Sequence, residues 1–460
     1  MNKIVSVFVL GAVAASIATA EVTVGINSRT RPSLYTSTET FADKSKKSTI
    51  LDFSNAEHSD DLAFAAKGEN CGIAATLKLS NGKDTYATTG VETPNGKTGA
   101  TQAVSLDGKY YGWMNFGALK ITAGRFDSRL VERHSLSTID DGLADSDTAK
   151  FGVSNAIVTG LDTDNTTKAV TGLDTIGKTF LYDFSNVSTI SGTRVNSIFA
   201  DYTIDEVGAG KVLVKAGVLA NNYTTQSSDD WNTKEQSKVG AGFAADVGYL
   251  SDTIDADVVF KMPSQHAFGF GLYGDVKAVE NLKLAAGFTY GASSEYDTYT
   301  YSVEKDKNTN EEKEKITTGK QSKYNAMAFD LRAFYQINEQ FLAGVQAKYS
   351  SLKVDSKDAN TSLELVASAQ YTISELLAAQ FDIGYYNEDM GDAVKVDNKG
   401  NWGETTLKVR PGVKVNASKN AYISAAFEFT TALNGSDAKD AKAGITKQSI
   451  ALPVVFRVKL

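Results

Sequence analysis

The feature that most constrains this chain is an alternation of apolar and polar residues with a period of two, which recurs almost to the last residue. Met327, Phe329 and Leu331 alternate with Asp330 and Arg332, for example. A β-strand points successive side chains to opposite faces, so each such run predicts a strand with one apolar and one polar face. No convincing helical pattern lies between these runs. The sequence therefore predicts an all-β, antiparallel meander.

Strand length and chain length together distinguish a membrane barrel from a soluble sheet. Most of the predicted strands have 9–14 residues, whereas soluble strands average about 5–6 and bilayer-crossing strands about 9–11. Charged residues stand in mid-strand on the polar faces, where a dry core would penalise them and a wet lumen would not. The predicted fold is a closed antiparallel transmembrane β-barrel of 16–18 strands spanning 21–460.

The N-terminus has the pattern of a secretory signal peptide. Lys3 precedes a short apolar run over 4–13, and Ala18 and Ala20 form a small-residue cleavage site. The apolar run is about half the length that a spanning helix needs. We expect residues 1–20 to be a signal peptide, with cleavage before Glu21.

The strand prediction has one internal inconsistency, because it contains nineteen strands. Single-chain bacterial barrels have an even number, which brings both ends to the periplasmic side. The up-down order fails between 204 and 265, so we expect the error there. The predicted strands are 22–28, 60–69, 72–80, 102–115, 117–126, 178–185, 194–204, 211–221, 237–249, 254–261, 265–276, 281–291, 322–337, 339–352, 361–373, 377–386, 404–415, 420–430 and 447–459.

Connections between the predicted strands alternate in length, as barrel turns and external loops do. The short ones are predicted at 70–72, 116–117, 277–280, 337–339, 374–376 and 416–419, and the long polar ones at 81–101, 127–177, 292–321, 387–403 and 431–446.

Other chemistry has little support. The single cysteine, Cys71, cannot form an internal disulfide. The net charge of -8, without a basic cluster, argues against nucleic-acid binding. His58, His134 and His266 lack metal-ligand spacing, and Ser264 beside His266 is a poor geometry for a nucleophile and its base. We expect no enzyme activity, no cofactor and no nucleic-acid partner.

Two segments resemble known proteins. "SDDLAFAAKGENCGIAATLKLS" (59–80) is similar to the second and third strands of the general porins of Gram-negative bacteria, and "YYGWMNFGALKITAGRF" (110–126) is similar to their next strand pair. The resemblance implies an outer-membrane location, insertion by the barrel insertion machinery, and a homotrimer. Porins usually end in Phe, whereas this chain ends in Leu460.

The resemblance also implies that the third external loop, 127–177, folds inward and narrows the pore. The pore-constriction residues carried over in this way are Arg125, Asp127, Glu132, Asp140, Asp141, Asp145 and Asp147. Strict alternation from Leu119 and Ile121 would point Arg125 outward unless Gly124 forms a bulge.

The alternation assigns charged residues to the lumen, where they would line a water-filled channel. The predicted basic lining consists of Lys67, Lys78, Lys109, Lys120, Lys283, Arg332, Lys348, Lys408, Arg410, Lys414, Arg457 and Lys459, and the acidic lining of Glu69, Asp107, Asp330, Glu364, Asp382 and Glu428. The predicted function is passive diffusion of ions and small hydrophilic solutes across a membrane whose lipid contacts the apolar face.

The alternative is a barrel-based surface adhesin or antigen with little channel activity. Its support is the lysine- and glutamate-rich segment 303–315, together with the Ser/Thr/Asp-rich segments 222–236 and 355–361. Such segments are typical of exposed loops.

Overall fold

A computed structural model of the chain describes residues 21–40, 47–78, 91–92, 98–99, 105–125, 157–163, 170–176, 196–219, 242–264, 267–305, 312–321, 323–354, 359–389, 403–433 and 446–460. Within these ranges, no helix is long and apolar enough to cross a membrane. The predicted signal peptide, 1–20, lies outside the described residues.

Eighteen antiparallel strands form one closed wall. They are β1 (Glu21–Thr40), β2 (Lys47–Lys67), β3 (Cys71–Lys78), β4 (Ser105–Phe116), β5 (Leu119–Arg125), β6 (Asn196–Val207), β7 (Gly210–Leu219), β8 (Gly242–Ser251), β9 (Ile254–Ser264), β10 (Ala267–Val276), β11 (Leu282–Ser293), β12 (Tyr324–Gln336), β13 (Phe341–Val354), β14 (Asn360–Thr372), β15 (Leu377–Asp389), β16 (Gly403–Ser418), β17 (Ala421–Ala426 and Glu428–Ala432) and β18 (Thr446–Lys459).

The two segments of β17 are one wall strand, because both pair with β16 on one side and β18 on the other. The wall closes where β1 pairs with β18, with Asn27 opposite Lys459. At this seam Ile26 and Leu460 exchange two backbone hydrogen bonds of 2.8 Å. The predicted closed barrel is confirmed, and closure leaves no edge strand at this seam.

Eighteen of the nineteen predicted strands correspond to the wall, and the surplus one is 178–185. It lies outside the described residues, and β5 pairs directly with β6, with Thr122 opposite Phe199. Our expectation that the error lay between 204 and 265 was wrong, since β7, β8 and β9 all belong to the wall. Alternation indicates that a segment can form a strand, but it does not indicate which strand that segment pairs with.

Two other strand predictions need correction. β1 and β2 are much longer than the predicted 22–28 and 60–69, because their ladder continues through a register shift between Arg31 and Ser33. The added part is largely polar, so the apolar alternation did not mark it. The predicted loop 292–321 contains a two-stranded hairpin, Tyr296–Lys305 with Glu312–Gln321.

Two smaller hairpins also lie outside the wall. They pair Val91–Glu92 with Thr98–Gly99 and Ile157–Thr163 with Val170–Ile176.

Most connections alternate between short and long as predicted, but β9 and β10 are joined by two residues only, 265–266. The short turns, at 68–70, 117–118, 208–209, 252–253, 277–281, 337–340, 373–376 and 419–420, lie at one end of the wall, which we call the turn end. Both ends of the wall, Glu21 and Leu460, lie at this same end. Gly117 adopts a φ of 64° in the turn between β4 and β5, a conformation that favours glycine.

The two faces of the wall reverse the distribution of apolar and polar side chains seen in a soluble protein, because the apolar side chains are exposed and the polar ones are buried. On β13, Val345 is 55% exposed while its neighbour Gln346 is 2% exposed. Phe381 on β15 is 46% exposed, and the adjacent Asp382 is fully buried. Large apolar side chains thus face outward on strand after strand, and an exposed apolar surface of this extent is typical of a membrane contact. The chain is a transmembrane β-barrel.

We expect Leu365→Arg, in the middle of the outward face of β14, to destabilise the folded barrel by about 2–4 kcal/mol, because it places a cation at the bilayer midplane. The matched control is Ile373→Arg, at the turn end next to the same strand, where the cost is about 0–1 kcal/mol. Urea unfolding of the barrel in lipid vesicles, followed by tryptophan fluorescence, measures both. Equal effects would contradict the assigned lipid-facing surface.

Candidate functional site

One row of ladder positions spans seven strands of the inner face and carries polar side chains on six of them. We call Asp257, Tyr273, Asp330, Lys348, Glu364 and Tyr386 the ionic belt. Asp257 lies opposite Tyr273, and Gly287 links Tyr273 to Asp330. Lys348 then lies between Asp330 and Glu364, and Glu364 lies opposite Tyr386. Paired residues on adjacent strands share a face, so the belt runs along the inner wall from β9 to β15.

One belt residue, Asp330, forms a buried ion pair with Arg332 of its own strand. Arg332 donates from Nη2 to Oδ2 of Asp330 at 2.8 Å and from Nε to Oδ1 at 3.2 Å. Asp330 is 0% and Arg332 4% exposed. Next to this pair, Gln346 Nε2 donates to Glu364 Oε1 at 2.8 Å. Asp330 therefore has a cation beside it and Glu364 a hydrogen-bond donor, which offsets part of the cost of burying each carboxylate.

A second charged group lies on the neighbouring strands. Arg410 Nη1 lies 3.4 Å from Asp382 Oδ2, and Ser368 donates its hydroxyl proton to the same carboxylate. Glu428 is 3.9 Å from both Arg410 Nε and Lys408 Nζ. Lys408 also lies over the ring of Tyr386, 5.4 Å from its centroid, which joins this group to the belt.

The inner wall has an acidic sector that the lists of predicted lining residues omitted. Asp246, Asp255, Asp257 and Asp275 lie on β8–β10 and are 1–7% exposed, with one buried cation, Lys261 of β9, among them. The signal was present in the sequence, since Asp255 and Asp257 alternate with Ile254, Ala256 and Val258. Lys277 in the adjoining turn forms a 2.7 Å ion pair with Asp255.

Basic residues dominate the opposite side of the barrel. The inward ladder positions of β16–β18 include Lys408, Arg410, Lys414, Arg457 and Lys459, with Glu428 among them. These strands lie eight positions from β8–β10 in a closed ring of eighteen, so the two sectors face each other across the lumen. Lys414 lies 4.1 Å from the ring centroid of Tyr422, and Arg457 Nη1 donates to the hydroxyl of Tyr422 at 3.4 Å.

The structure brings together many of the predicted lining residues. The members that meet in the belt and the group beside it are Asp330, Arg332, Lys348, Glu364, Asp382, Lys408, Arg410 and Glu428. Lys67, Lys120 and Lys283 lie on inward positions toward the turn end and are exposed, as is Lys459. Glu69 lies in the turn between β2 and β3. For Lys78, Asp107 and Lys109 the structure describes only the backbone, within β3 and β4.

The predicted constriction is not brought together by the described residues. Asp127, Glu132, Asp140, Asp141, Asp145 and Asp147 all lie outside them. Arg125 pairs with Tyr110 and Asn196, and the ladder shows no register shift at Gly124, although the φ of Gly124 is 133°. The bulge that would point Arg125 inward is therefore missing from the pairing. Arg125 occupies an outward ladder position, like Ile121 and Ala123. The constriction stays a prediction.

A cavity of about 820 Å³ lies at the turn end, beside the belt. Polar and charged groups of its lining include Asp275, Lys277, Lys283, Gln336 and Gln370, and Phe334 forms an apolar part of it. Its volume lies in the range of about 300–1,000 Å³ found for small-molecule sites.

Within the described ranges, no cluster of three or more His, Cys, Asp or Glu side chains could hold a metal ion. His58 lies in β2, whereas His134 and His266 lie outside the described residues.

Comparison with known proteins found similar architectures. No protein-family profile and no curated protein matches the sequence. Solved structures with a similar arrangement include an anion-selective porin from Comamonas acidovorans, with 10% identity over 96% of this chain and 100% of that one and a TM-score of 0.47.

Two further examples have comparable scores. OccAB1 of Acinetobacter baumannii shares 12% identity over 95% of this chain and 97% of its own, with a TM-score of 0.46. A loop-deletion mutant of OmpT, an outer membrane protein of Vibrio cholerae, shares 11% identity over 96% of this chain and 100% of its own, also with a TM-score of 0.46.

We expect Arg410→Ala to destabilise the barrel by about 3–5 kcal/mol, because it leaves the fully buried Asp382 carboxylate without its cation. Lys408→Ala on the same strand is the control: its side chain is 33% exposed and its partner Glu428 is 3.9 Å away, so the loss is about 0–1 kcal/mol. Urea unfolding in vesicles compares the two. A loss at Arg410 no greater than at Lys408 would show that the buried pair does not stabilise the wall.

Proposed function

We propose that this protein is an outer-membrane porin, a water-filled channel for passive diffusion of ions and small hydrophilic solutes. The observation that carries the proposal is the reversed wall, which presents apolar residues outward and the ionic belt inward. Eighteen strands spaced by about 4.8 Å and tilted by about 40° give a backbone diameter of about 36 Å. Wall side chains alone cannot fill a barrel of that width.

The charge distribution supports hydrophilic solutes and ions as the cargo. The acidic sector on β8–β10 and the basic sector on β16–β18 produce a field across the lumen, which orients dipolar solutes and discriminates ions by sign. An apolar solute without a dipole gains no electrostatic stabilisation from such a field.

The cellular setting belongs to the same proposal. Transmembrane β-barrels of this size are characteristic of outer membranes, and the secretory pattern over 1–20 is consistent with export. Recognition by the barrel insertion machinery and assembly as a homotrimer are expectations from the porin resemblance.

One observation favours the second candidate, a surface adhesin. The hairpin of Tyr296–Lys305 and Glu312–Gln321 extends from β11 and β12 at the end opposite the turns. Its register sets Glu304 opposite Lys313 and Lys305 opposite Glu312, and opposite charges at such positions stabilise a ribbon. A paired ribbon outside the bilayer is a suitable display surface. A barrel that is silent in planar bilayers but binds host surfaces would favour this function over the porin.

Planar-bilayer recording tests the proposed function. We expect purified protein to produce discrete conductance steps in potassium chloride, and a reversal potential in a salt gradient that reports its ion preference. Neutralising Asp140, Asp141, Asp145 and Asp147 to asparagine should shift that potential toward anion preference, because removing fixed negative charge near a narrow path weakens cation attraction.

The matched control neutralises the same number of acids in the external hairpin, namely Asp297, Glu304, Glu312 and Glu314. These are expected to leave the reversal potential unchanged. An unchanged potential in the first variant would place the constriction elsewhere, and an absence of any conductance steps in the unmodified protein would overturn the channel itself.

A further inference from the structure

Several inward aromatic rings of the wall lie flat against a glycine on the next strand. Trp113 pairs with Gly72, Phe199 with Gly217, and Phe334 with Gly344. In each pair, a Cβ added to the glycine would meet ring atoms at 2.7 Å or less. Since real Cβ atoms do not approach other heavy atoms so closely, each ring occupies the space that the missing side chain leaves.

The pair on β12 and β13 is the most enclosed. Phe334 is 1% exposed and forms an apolar cluster with Val366, with Leu342 and Tyr386 packed against it. Its Cγ lies 2.7 Å from the position of a Cβ on Gly344. Tyr386 has a similar relation to a glycine of its own strand, with Cε2 2.7 Å from a Cβ on Gly384. Phe334 and Tyr386 form an apolar patch with Val366 and Leu342 on the inner face.

The position of Phe334 along the wall connects it to the path through the barrel. It is two residues from Arg332 of the buried ion pair and shares that inward face. On the other side it lines the cavity of about 820 Å³ at the turn end. Val366, Leu342 and Tyr386 belong to the same apolar cluster, so we expect a ring moved off the wall to enter the cavity that it lines.

We propose that Gly344 sets the free cross-section at the turn end of the channel, by letting the Phe334 ring lie in the plane of the wall, and that Gly384 does the same for the Tyr386 ring farther from that end. The glycines act as positioning residues, and the rings are the groups they keep out of the path. Inward large side chains and an open lumen coexist here because the backbone beneath each ring carries no side chain. The proposal rests on the proposed channel function.

Single-channel conductance in planar bilayers tests it. We expect Gly344→Ala to lose conductance, and to lose flux of larger uncharged solutes more than that of small ones in a vesicle-swelling assay. The double variant Phe334→Ala/Gly344→Ala should regain the conductance of the unmodified protein, because it removes the displaced ring. The matched control is Gly274→Ala on the outward face of β10, where the nearest heavy atom to an added Cβ is Asp255 O at 3.6 Å.

The outcomes separate the proposal from its alternatives. Unaltered conductance in folded Gly344→Ala, or a loss that the double variant does not reverse, would overturn the ring-clearance role. If Gly344→Ala does not insert, Gly384→Ala with Tyr386→Ala/Gly384→Ala repeats the comparison at the second ring.

A readout independent of conduction distinguishes failure of this inference from failure of the channel proposal. Phe334→Trp introduces an emission probe at the ring position, corrected for the protein's three native tryptophans by subtracting the spectrum of the parent. Adding Gly344→Ala should shift that emission to longer wavelength as the ring leaves the wall and meets water. If the emission does not shift, the inference is overturned even if the protein conducts. If the emission shifts but the barrel does not conduct, the proposed channel function is overturned and the packing of the ring on Gly344 stands.

Discussion

The structure depends on the closure of its backbone hydrogen-bond ladder. In a bilayer there is no water to satisfy an unpaired amide or carbonyl, so a sheet can cross only if it has no free edge. This chain meets that condition at the seam where β1 pairs with β18. Once the ladder is closed, each strand has two defined sides, and the period-two sequence assigns apolar residues to lipid and polar residues to the interior.

Closure also determines the electrostatics of the interior. Charges brought inside must compensate one another, since an isolated buried charge costs several kcal/mol. Asp330 with Arg332, and Asp382 with Arg410, do so by direct contact. The remaining imbalance is spread around the ring, with aspartates on one side and lysines and arginines on the other. A wall can thus be locally neutral in its pairs and still be polarised across its diameter.

The sequence predicted the fold more fully than the site, for reasons visible in particular residues. Val345 beside Gln346, and Phe381 beside Asp382, show the alternation that defines a membrane-crossing strand. The polar continuation of β1 beyond Arg31 has no such pattern, because a ribbon outside the bilayer needs no apolar face. The extra strand predicted at 178–185 shows a different limit, since alternation within one segment cannot reveal which strand it would pair with.

The candidate site residues also differ in whether the sequence alone could identify them. Asp330, Arg332, Glu364 and Arg410 were identified because alternation alone sets their direction. The flat packing of Phe334 on Gly344 was not, because it depends on a cross-strand register that one strand does not encode. Arg125 is a third case: the carried-over constriction assignment would need a bulge at Gly124, and the pairing with Tyr110 and Asn196 contains none.

The seam between β1 and β18 has a consequence for the order of the strands along the chain. Ile26 and Leu460 are already bonded neighbours, so the first and last strands differ from any other adjacent pair mainly in lacking a peptide connection. A few residues of flexible tether would join them, and the polypeptide could then be opened at Gly208 instead, giving a circularly permuted ring with the same wall. In topological terms the barrel has no first strand.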